Sequence, residues 1–246
     1  MDCWVTEYLS AFHTPDKATC WGIVTVVGWN PRFVSAVPFE EHYAHFTNYL
    51  QSFDIIKEHC FIYPYNALHT TLYTIINFKE NNLQNEEGQH KFENFIASKL
   101  KESLTNINKT QVKLKEIRLS QNAGFFQFHE NEEIEKIRDR LQASLDTVAQ
   151  QLKENEFQED LLKSANRPRI IHSTIMRFTK TPDDWENFES EWQTIINNFI
   201  SRNPDSPLLQ ECLDVSSIHV VVEKLPYMQR STKFAAPLEV LNVNLQ

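Results

Sequence analysis

The chain has 246 residues and a mass of 28.9 kDa, enough for one large domain or two small lobes. Its formal net charge is −9 at pH 7, whereas a protein that binds long nucleic acid usually carries a basic surface. The composition therefore disfavours long duplex nucleic acid as a partner. Among anionic ligands it favours a small nucleotide or a short oligonucleotide.

Simple counts disfavour several further classes of protein. Only four glycines occur, and they form neither a Rossmann fingerprint nor a P-loop. The four cysteines lack the spacing of a metal site, so we expect reduced thiols and no metal. No apolar stretch is long enough to span a membrane, and the first residues do not resemble a signal peptide. We therefore expect a cytoplasmic protein with no membrane partner.

The first half of the sequence alternates between strand-like and helix-like patterns. The predicted elements are an arm over 1–20 packed by Trp4, Tyr8 and Phe12, a strand over 21–29, a helix from Pro38 to Phe53, extended segments over 60–63 and 67–77, and a helix over 92–104. The helix stripes are apolar and are interpreted as core rather than as cofactor-binding surfaces.

The second half repeats this alternation. Its predicted elements are a hairpin of strands over 112–119 and 124–128, a helix capped by Asn131 with its stripe over 134–152, a strand over 170–178, a helix after Thr181-Pro182 with its stripe over 185–199, and strands over 217–225 and 238–245. Each half thus has one extended segment, then a helix, then two strands. The order predicts a pseudo-symmetric, bilobal α+β fold with two antiparallel sheets, outer helices and a central cleft. One domain over 21–246 would contain intertwined lobes of roughly 21–129 and 130–246.

A short phrase recurs in the two halves and carries the functional signal. His69-Thr70-Thr71-Leu72 and His172-Ser173-Thr174-Ile175 each lie in an apolar, strand-like run. Side chains two apart on a strand share a face, so each copy presents an imidazole beside a hydroxyl. Two such pairs facing each other would supply an acid, a base and two hydroxyl donors around one phosphate.

A structural interpretation competes with this one, because a single His-x-Thr match is weak evidence. Either histidine could instead pack on a strand face and hydrogen-bond to a neighbour. A basic cluster of Lys163, Arg167, Arg169, Arg177 and Lys180 surrounds the second motif. Strand alternation places Arg169 and Arg177 on the face opposite His172, which predicts solvated outer charges rather than phosphate ligands.

With these motifs the sequence resembles the two-histidine (2H) phosphoesterase superfamily, which has the LigT-like fold. Gly124-Phe125-Phe126 before a Leu-rich helix, and Ser217 to Val222 before Tyr227, also resemble the family. The resemblance implies metal-independent hydrolysis of 2′,3′-cyclic phosphates, 2′-5′-linked oligonucleotides, cyclic dinucleotides or RNA 3′ ends, with no cofactor. It implies that His69 and His172 are the acid and base, and that Thr71 and Thr174 bind the phosphate.

Four further residues are candidates for contacts with the substrate. Tyr73 and Met176 lie two residues beyond the motif threonines, and Phe126 and Phe128 are candidates for stacking on a base. Packing in the wall of the cleft is the alternative for each of them. Two other functions stay open: a catalytically inactive nucleotide-binding or interaction module on the same fold, and a zinc hydrolase, which the motifs favour least because they supply no third ligand.

Overall fold

A computed structural model describes residues 20–28, 39–80, 85–210, 212–224 and 238–246. The aromatic residues of the predicted arm and Tyr227 lie outside these ranges. The described strands are β1 (Gly22–Gly28), β2 (Cys60–Ile62), β3 (His69–Ile76), β4 (Thr110–Leu119), β5 (Ala123–Phe128), β6 (His172–Phe178), β7 (Cys212–Val215), β8 (Ser217–Glu223) and β9 (Leu238–Asn244). The short strand β7 was not predicted from the sequence.

The described strands form one continuous sheet in the order β7-β4-β5-β6-β3-β1-β8-β9, with β2 paired to the end of β6. All of these pairings are antiparallel. The predicted hairpin is confirmed, since β4 pairs with β5 from Leu119 and Gly124 onward. The sheet thus consists of one half around β4, β5 and β6 and another around β3, β1 and β8.

Six described α-helices accompany the sheet: α1 (Phe39–Leu50), α2 (Asp54–His59), α3 (Glu86–Ser103), α4 (Glu132–Gln151), α5 (Trp185–Arg202) and α6 (Pro207–Gln210). The first predicted helix ends at Leu50 rather than Phe53, and the separate helix α2 follows it. The side chains of Asn85, Asn131 and Asp184 accept hydrogen bonds from the amides that open α3, α4 and α5. None of the helices in the described ranges has the length and apolar content needed to cross a bilayer.

The helices cover one face of the sheet through the apolar stripes that the sequence predicted. Helix α4 buries Ile134, Ile137, Leu141 and Leu145 in a cluster that also contains residues of α1, α3 and α5. Burial of these side chains is the main favourable term in the fold. The mixed architecture of an antiparallel sheet with helices outside it confirms the predicted α+β class.

The two motif strands meet at one point in the centre of the sheet. Thr70 of β3 pairs with Ser173 of β6, and their hydroxyl oxygens are 2.6 Å apart. Both side chains are 0% exposed, so each hydroxyl satisfies the other away from water. These are the middle residues of the two His-x-Thr motifs, and their pairing sets the position of one motif relative to the other.

This hydroxyl pair should appear as a coupled contribution to the free energy of unfolding. Ser173→Ala or Thr70→Val leaves one buried hydroxyl without this partner, and each should cost about 1–3 kcal/mol. The double variant should lose less than the sum of the two, by roughly 0.5 kcal/mol or more in urea unfolding. Ser190→Ala, an exposed serine on α5, is the control and should change stability by less than about 0.5 kcal/mol. Strictly additive losses would show that the hydroxyls do not interact.

Candidate active site

The pairing of Thr70 with Ser173 brings the four predicted catalytic residues together. In an antiparallel register the flanking residues are opposed as His69 with Thr174 and Thr71 with His172. The two histidines are then diagonal neighbours, a relation in which residues lie roughly 7–8 Å apart and their Cβ atoms somewhat closer. All four side chains line one cavity of about 280 Å³. This separation leaves room for a phosphate group between the imidazoles.

A β-bulge follows each motif, three residues after its histidine. In β3, Thr71 pairs with Val26 and Tyr73 with Thr25, so Leu72 is an extra residue in the strand. In β6, Thr174 pairs with Phe125 and Met176 with Gly124, so Ile175 is extra in the same way. An extra residue reverses the alternation of side chains beyond it. The cavity is therefore lined next by Thr74 and Arg177.

The bulges make the prediction for Tyr73 and Met176 wrong. They do not share the cavity-lining face of the motif threonines, and their side chains are 2% and 0% exposed. The Tyr73 hydroxyl donates to Oε1 of Gln142 on α4. Met176 packs against Gly124, where an added Cβ would lie 2.8 Å from the Met176 Cγ. Both side chains are part of the core.

The two predicted stacking residues are also core residues. Phe126 is buried and its ring centroid lies 5.5 Å from that of Phe46 on α1. Phe128 is buried as well, outside the lining of this cavity. The sequence missed Phe125, whose partly exposed ring lies edge-on to the His172 imidazole with centroids 5.4 Å apart. Phe125 faces the histidines because it pairs with Thr174.

Arg177 is a further correction, since strand alternation had placed it on the outer face. The bulge at Ile175 turns its side chain into the cavity. Lys79 lines the cavity too, and its pKa is lowered by desolvation and by the nearby charge of Arg177. Glu223 supplies one negative charge to the lining. Arg169, unlike Arg177, is exposed and lies outside this cavity, which is consistent with the predicted position on the outer face.

Backbone carbonyls orient both imidazoles in the same way. The Nδ1 atom of His69 is 2.8 Å from the carbonyl oxygen of Ala67, and that of His172 is 3.4 Å from the carbonyl oxygen of Ile170. Because a carbonyl can only accept, each Nδ1 carries the hydrogen in this arrangement. In the neutral rings Nε2 is then the basic nitrogen. Each carbonyl belongs to the residue two positions before its histidine, so an equivalent hydrogen bond orients the imidazole in each half.

The surroundings of the two histidines differ in charge. Arg138 of α4 is buried behind His172, where its Nη2 donates to the same Ile170 carbonyl at 3.1 Å and its Nη1 to Glu135 at 2.8 Å. Desolvation lowers the pKa of His172, and the charges of Arg177 and Arg138 lower it further, against the opposing effect of the Ile170 hydrogen bond. The His172 imidazole is therefore held in its neutral form near pH 7.

The immediate neighbours of the histidines are hydroxyls rather than metal ligands. Thr71 and Thr174 stand beside the imidazoles, where zinc sites normally have carboxylates, thiolates or a third histidine. Within the ranges that the structure describes, no three His, Cys, Asp or Glu side chains cluster as a metal site would require.

Comparison with solved structures shows which fold this is. Escherichia coli LigT in complex with 3′-AMP matches with a TM-score of 0.52 and 10% identity, over 92% of this chain and 98% of LigT. A structure described as a phosphoesterase matches with a TM-score of 0.51 and 9% identity, over 92% and 98% of the two chains. E. coli LigT in its apo form matches with a TM-score of 0.50 and 9% identity, over 93% and 99%. The chain has the LigT-like fold, as the motifs predicted.

Comparison of the sequence with protein-family models and with curated proteins found no relative. No protein-family model matches the chain, and no curated protein matches it. At about one identical residue in ten, the structural likeness defines the fold and leaves the chemistry to be argued from this chain's own side chains.

The effect of Arg177 on His172 can be tested directly by titration. Replacing the guanidinium in Arg177→Gln removes a positive charge that disfavours the imidazolium, so the pKa of His172 should rise. The measurement is an NMR titration of the His172 ring in the ligand-free protein. Arg169→Gln removes an exposed charge outside the cavity and should leave the titration of His172 where it is. If the pKa of His172 stayed constant or fell in Arg177→Gln, Arg177 would not be a cause of the lowered pKa.

Proposed function

We propose that this protein is a metal-independent phosphodiesterase that acts on a small nucleotide phosphodiester by His/His acid–base catalysis. The observation that carries the proposal is the crossed placement of two imidazole–hydroxyl pairs around one cavity. Cleavage of a phosphodiester needs one proton removed from the nucleophile and one given to the leaving oxygen. Two histidines on either side of one phosphate can perform both transfers.

The surroundings of His172 support one assignment of the two roles. We assign His172 as the base, because burial and the nearby positive charges lower its pKa and favour an unprotonated Nε2, and we assign His69 as the acid. In hydrolysis, a water oxygen attacks phosphorus and gives a proton to Nε2 of His172. The bond from phosphorus to the bridging oxygen breaks, and Nε2 of His69 gives its proton to that oxygen. If a neighbouring ribose hydroxyl attacks in place of water, the same transfers produce a cyclic phosphate.

The remaining polar groups of the cavity suit the charge that develops on the phosphate. The hydroxyls of Thr71 and Thr174 can donate to the two non-bridging oxygens, which carry the additional charge of the pentacoordinate state. Arg177 and Lys79 add two positive charges to the same lining. Together with the one negative charge of Glu223 they leave the lining net positive, so the cavity suits a phosphate although the whole chain has a net charge of −9.

The size of the cavity favours a small substrate. Its volume of about 280 Å³ is at the lower end of ligand pockets and suits one nucleotide. E. coli LigT, which shares the fold, has been crystallised with 3′-AMP. We therefore propose a 2′,3′-cyclic phosphate, a 2′-5′ linkage or a cyclic dinucleotide as the class of substrate, with no cofactor.

Substitution of either histidine tests the proposed function. His69→Ala and His172→Ala should each lower turnover on the order of 10²–10⁴-fold, and the double variant should be barely worse, since both groups act in one step. The assay uses 2′,3′-cyclic AMP, 2′-5′-linked diadenylate and cyclic diadenylate in EDTA. His129→Ala, an exposed histidine outside the cavity, is the matched control and should keep wild-type turnover.

Three outcomes would go against the proposal. Near wild-type turnover in either single variant, with circular dichroism showing a native fold, would exclude the paired mechanism. Loss of wild-type activity in EDTA with recovery on added Zn²⁺ would favour a metal hydrolase. Binding of the three probes by calorimetry without any turnover would identify an inactive nucleotide-binding module.

A further inference from the structure

The sheet face that carries the histidines continues beyond them onto β5 and β4. Phe125 pairs with Thr174 on one side and with Arg118 on the other, so these three residues form a row across three strands. Gln127 likewise pairs with His172 and with Glu116 in a neighbouring row. Directly paired residues point to the same face, so Phe125 and Arg118 lie on the face of the histidines.

This part of the face is accessible, in contrast to its reverse side. Ile117 and Phe126, which alternate with these residues, are buried in the core among the helices. Arg118 and Glu116 are exposed, and the ring of Phe125 is partly exposed. Phe125 and Arg118 lie side by side next to the two histidines. Core packing does not require a partly exposed phenylalanine or an exposed arginine at these positions. We call these two residues the Phe125–Arg118 surface.

The side chain of Arg118 is held on this face without a carboxylate partner in the part of the chain that the structure describes. Its Nη1 donates to Oε1 of Gln127 at 3.1 Å, which directs the guanidinium towards the row of His172. A neutral amide partner leaves the positive charge of the guanidinium uncompensated at that contact. The guanidinium is therefore suited to contact a phosphate oxygen or to stack on a base.

The surface lies on the opposite side of the histidines from the main cavity. Besides the four motif residues and Arg177 of β6, that cavity is lined by residues of β3 and the segment after it, among them Thr74 and Lys79, whereas Phe125 and Arg118 belong to β5 and β4. Polar, charged or aromatic side chains therefore flank the imidazoles on both sides. A terminal 2′,3′-cyclic phosphate carries one nucleoside, but an internucleotide linkage carries one on each side of phosphorus.

We propose that the Phe125–Arg118 surface is a second nucleotide subsite, and that the substrate is an oligonucleotide linkage rather than a terminal cyclic phosphate. The inference rests on the proposed function. One nucleoside occupies the main cavity, and the base of the other stacks on Phe125. Arg118 contacts the next phosphate along the strand, so the protein distinguishes a trinucleotide from a dinucleotide.

The test compares 2′,3′-cyclic AMP with 2′-5′-linked diadenylate and triadenylate. In the wild type, kcat/KM should be at least about tenfold higher for the diadenylate, mainly through KM, because one stacked base is worth on the order of tenfold or more. Phe125→Leu should lower the ratio of diadenylate to cyclic-nucleotide kcat/KM by about tenfold. Arg118→Gln should weaken the triadenylate and reduce the salt dependence of its KM by a slope of about 0.7, the value for one phosphate contact on a single strand.

The matched control is Lys113→Gln, which removes one exposed positive charge from β4 in the segment that pairs with β7. It should leave all of these ratios and slopes at wild-type values. Because the Phe125 ring also contacts His172, a structural effect of Phe125→Leu would lower kcat/KM equally for all three substrates. Equal losses, or ratios that neither variant changes, would overturn the subsite.

Failure of the subsite and failure of the proposed function can be told apart. If the wild type cleaves the probes but the ratios do not respond to Phe125→Leu or Arg118→Gln, the phosphodiesterase stands and the subsite does not. If no probe is cleaved, the dissociation constants of the diadenylate and triadenylate are measured by calorimetry. Binding that strengthens with length and weakens in both variants would support the subsite while the proposed function fails. Length-independent binding would overturn both.

Discussion

The site depends on one antiparallel contact in the middle of the sheet. The Thr70–Ser173 pair joins the two motif strands, and its register sets each histidine beside the threonine of the other motif. Register in a sheet is all-or-none, because a shift of one motif strand by one residue would send its histidine and its threonine to the opposite face. A buried hydroxyl pair specifies this register more strictly than two apolar residues would, since any other alignment breaks this buried hydrogen bond.

The two β-bulges extend this arrangement into a usable cavity. Without them, strand alternation would put Tyr73 and Met176 next to the phosphate position and would bury Thr74 and Arg177. With them, bulky apolar side chains fill the core and polar ones line the cavity. Because the bulges occur at equivalent positions after the two histidines, the halves are related in backbone while they differ in side chains. Thr74 in the first half corresponds to Arg177 in the second.

That difference gives the two histidines different electrostatic surroundings on a pseudo-symmetric backbone. Burial lowers the pKa of His172, and the charges of Arg177 and the buried Arg138 lower it further. Two identical imidazoles would compete for the roles of acid and base, whereas a local positive field favours one assignment. The same guanidinium of Arg177 adds positive charge where a phosphate would bind. In the proposed mechanism this one arginine would contribute both to phosphate binding and to the lowered pKa of the base.

Local patterns in the sequence predicted the parts of the structure that depend on local physics. Asn131 caps its helix, the helix stripes enter the core, and His69 with Thr71 and His172 with Thr174 share faces because each pair precedes its bulge. The wrong predictions of side-chain facing concern residues after Leu72 and Ile175. At each of these positions one extra residue reverses the alternation of side chains, and no sequence pattern indicates it. Phe125 was missed for a related reason: the pairing of β5 with β6 decides whether Phe125 or Phe126 faces the histidines, and that pairing is a long-range property.

The central claim is that both histidines contact one phosphate, and NMR of the imidazole nitrogens during titration with 3′-AMP tests it most directly. The Nε2 signals of His69 and His172 should shift together and yield one dissociation constant, while those of His59 and His129, which lie outside the cavity, should stay in place. A response at only one of the two motif histidines, or two different dissociation constants, would contradict the account.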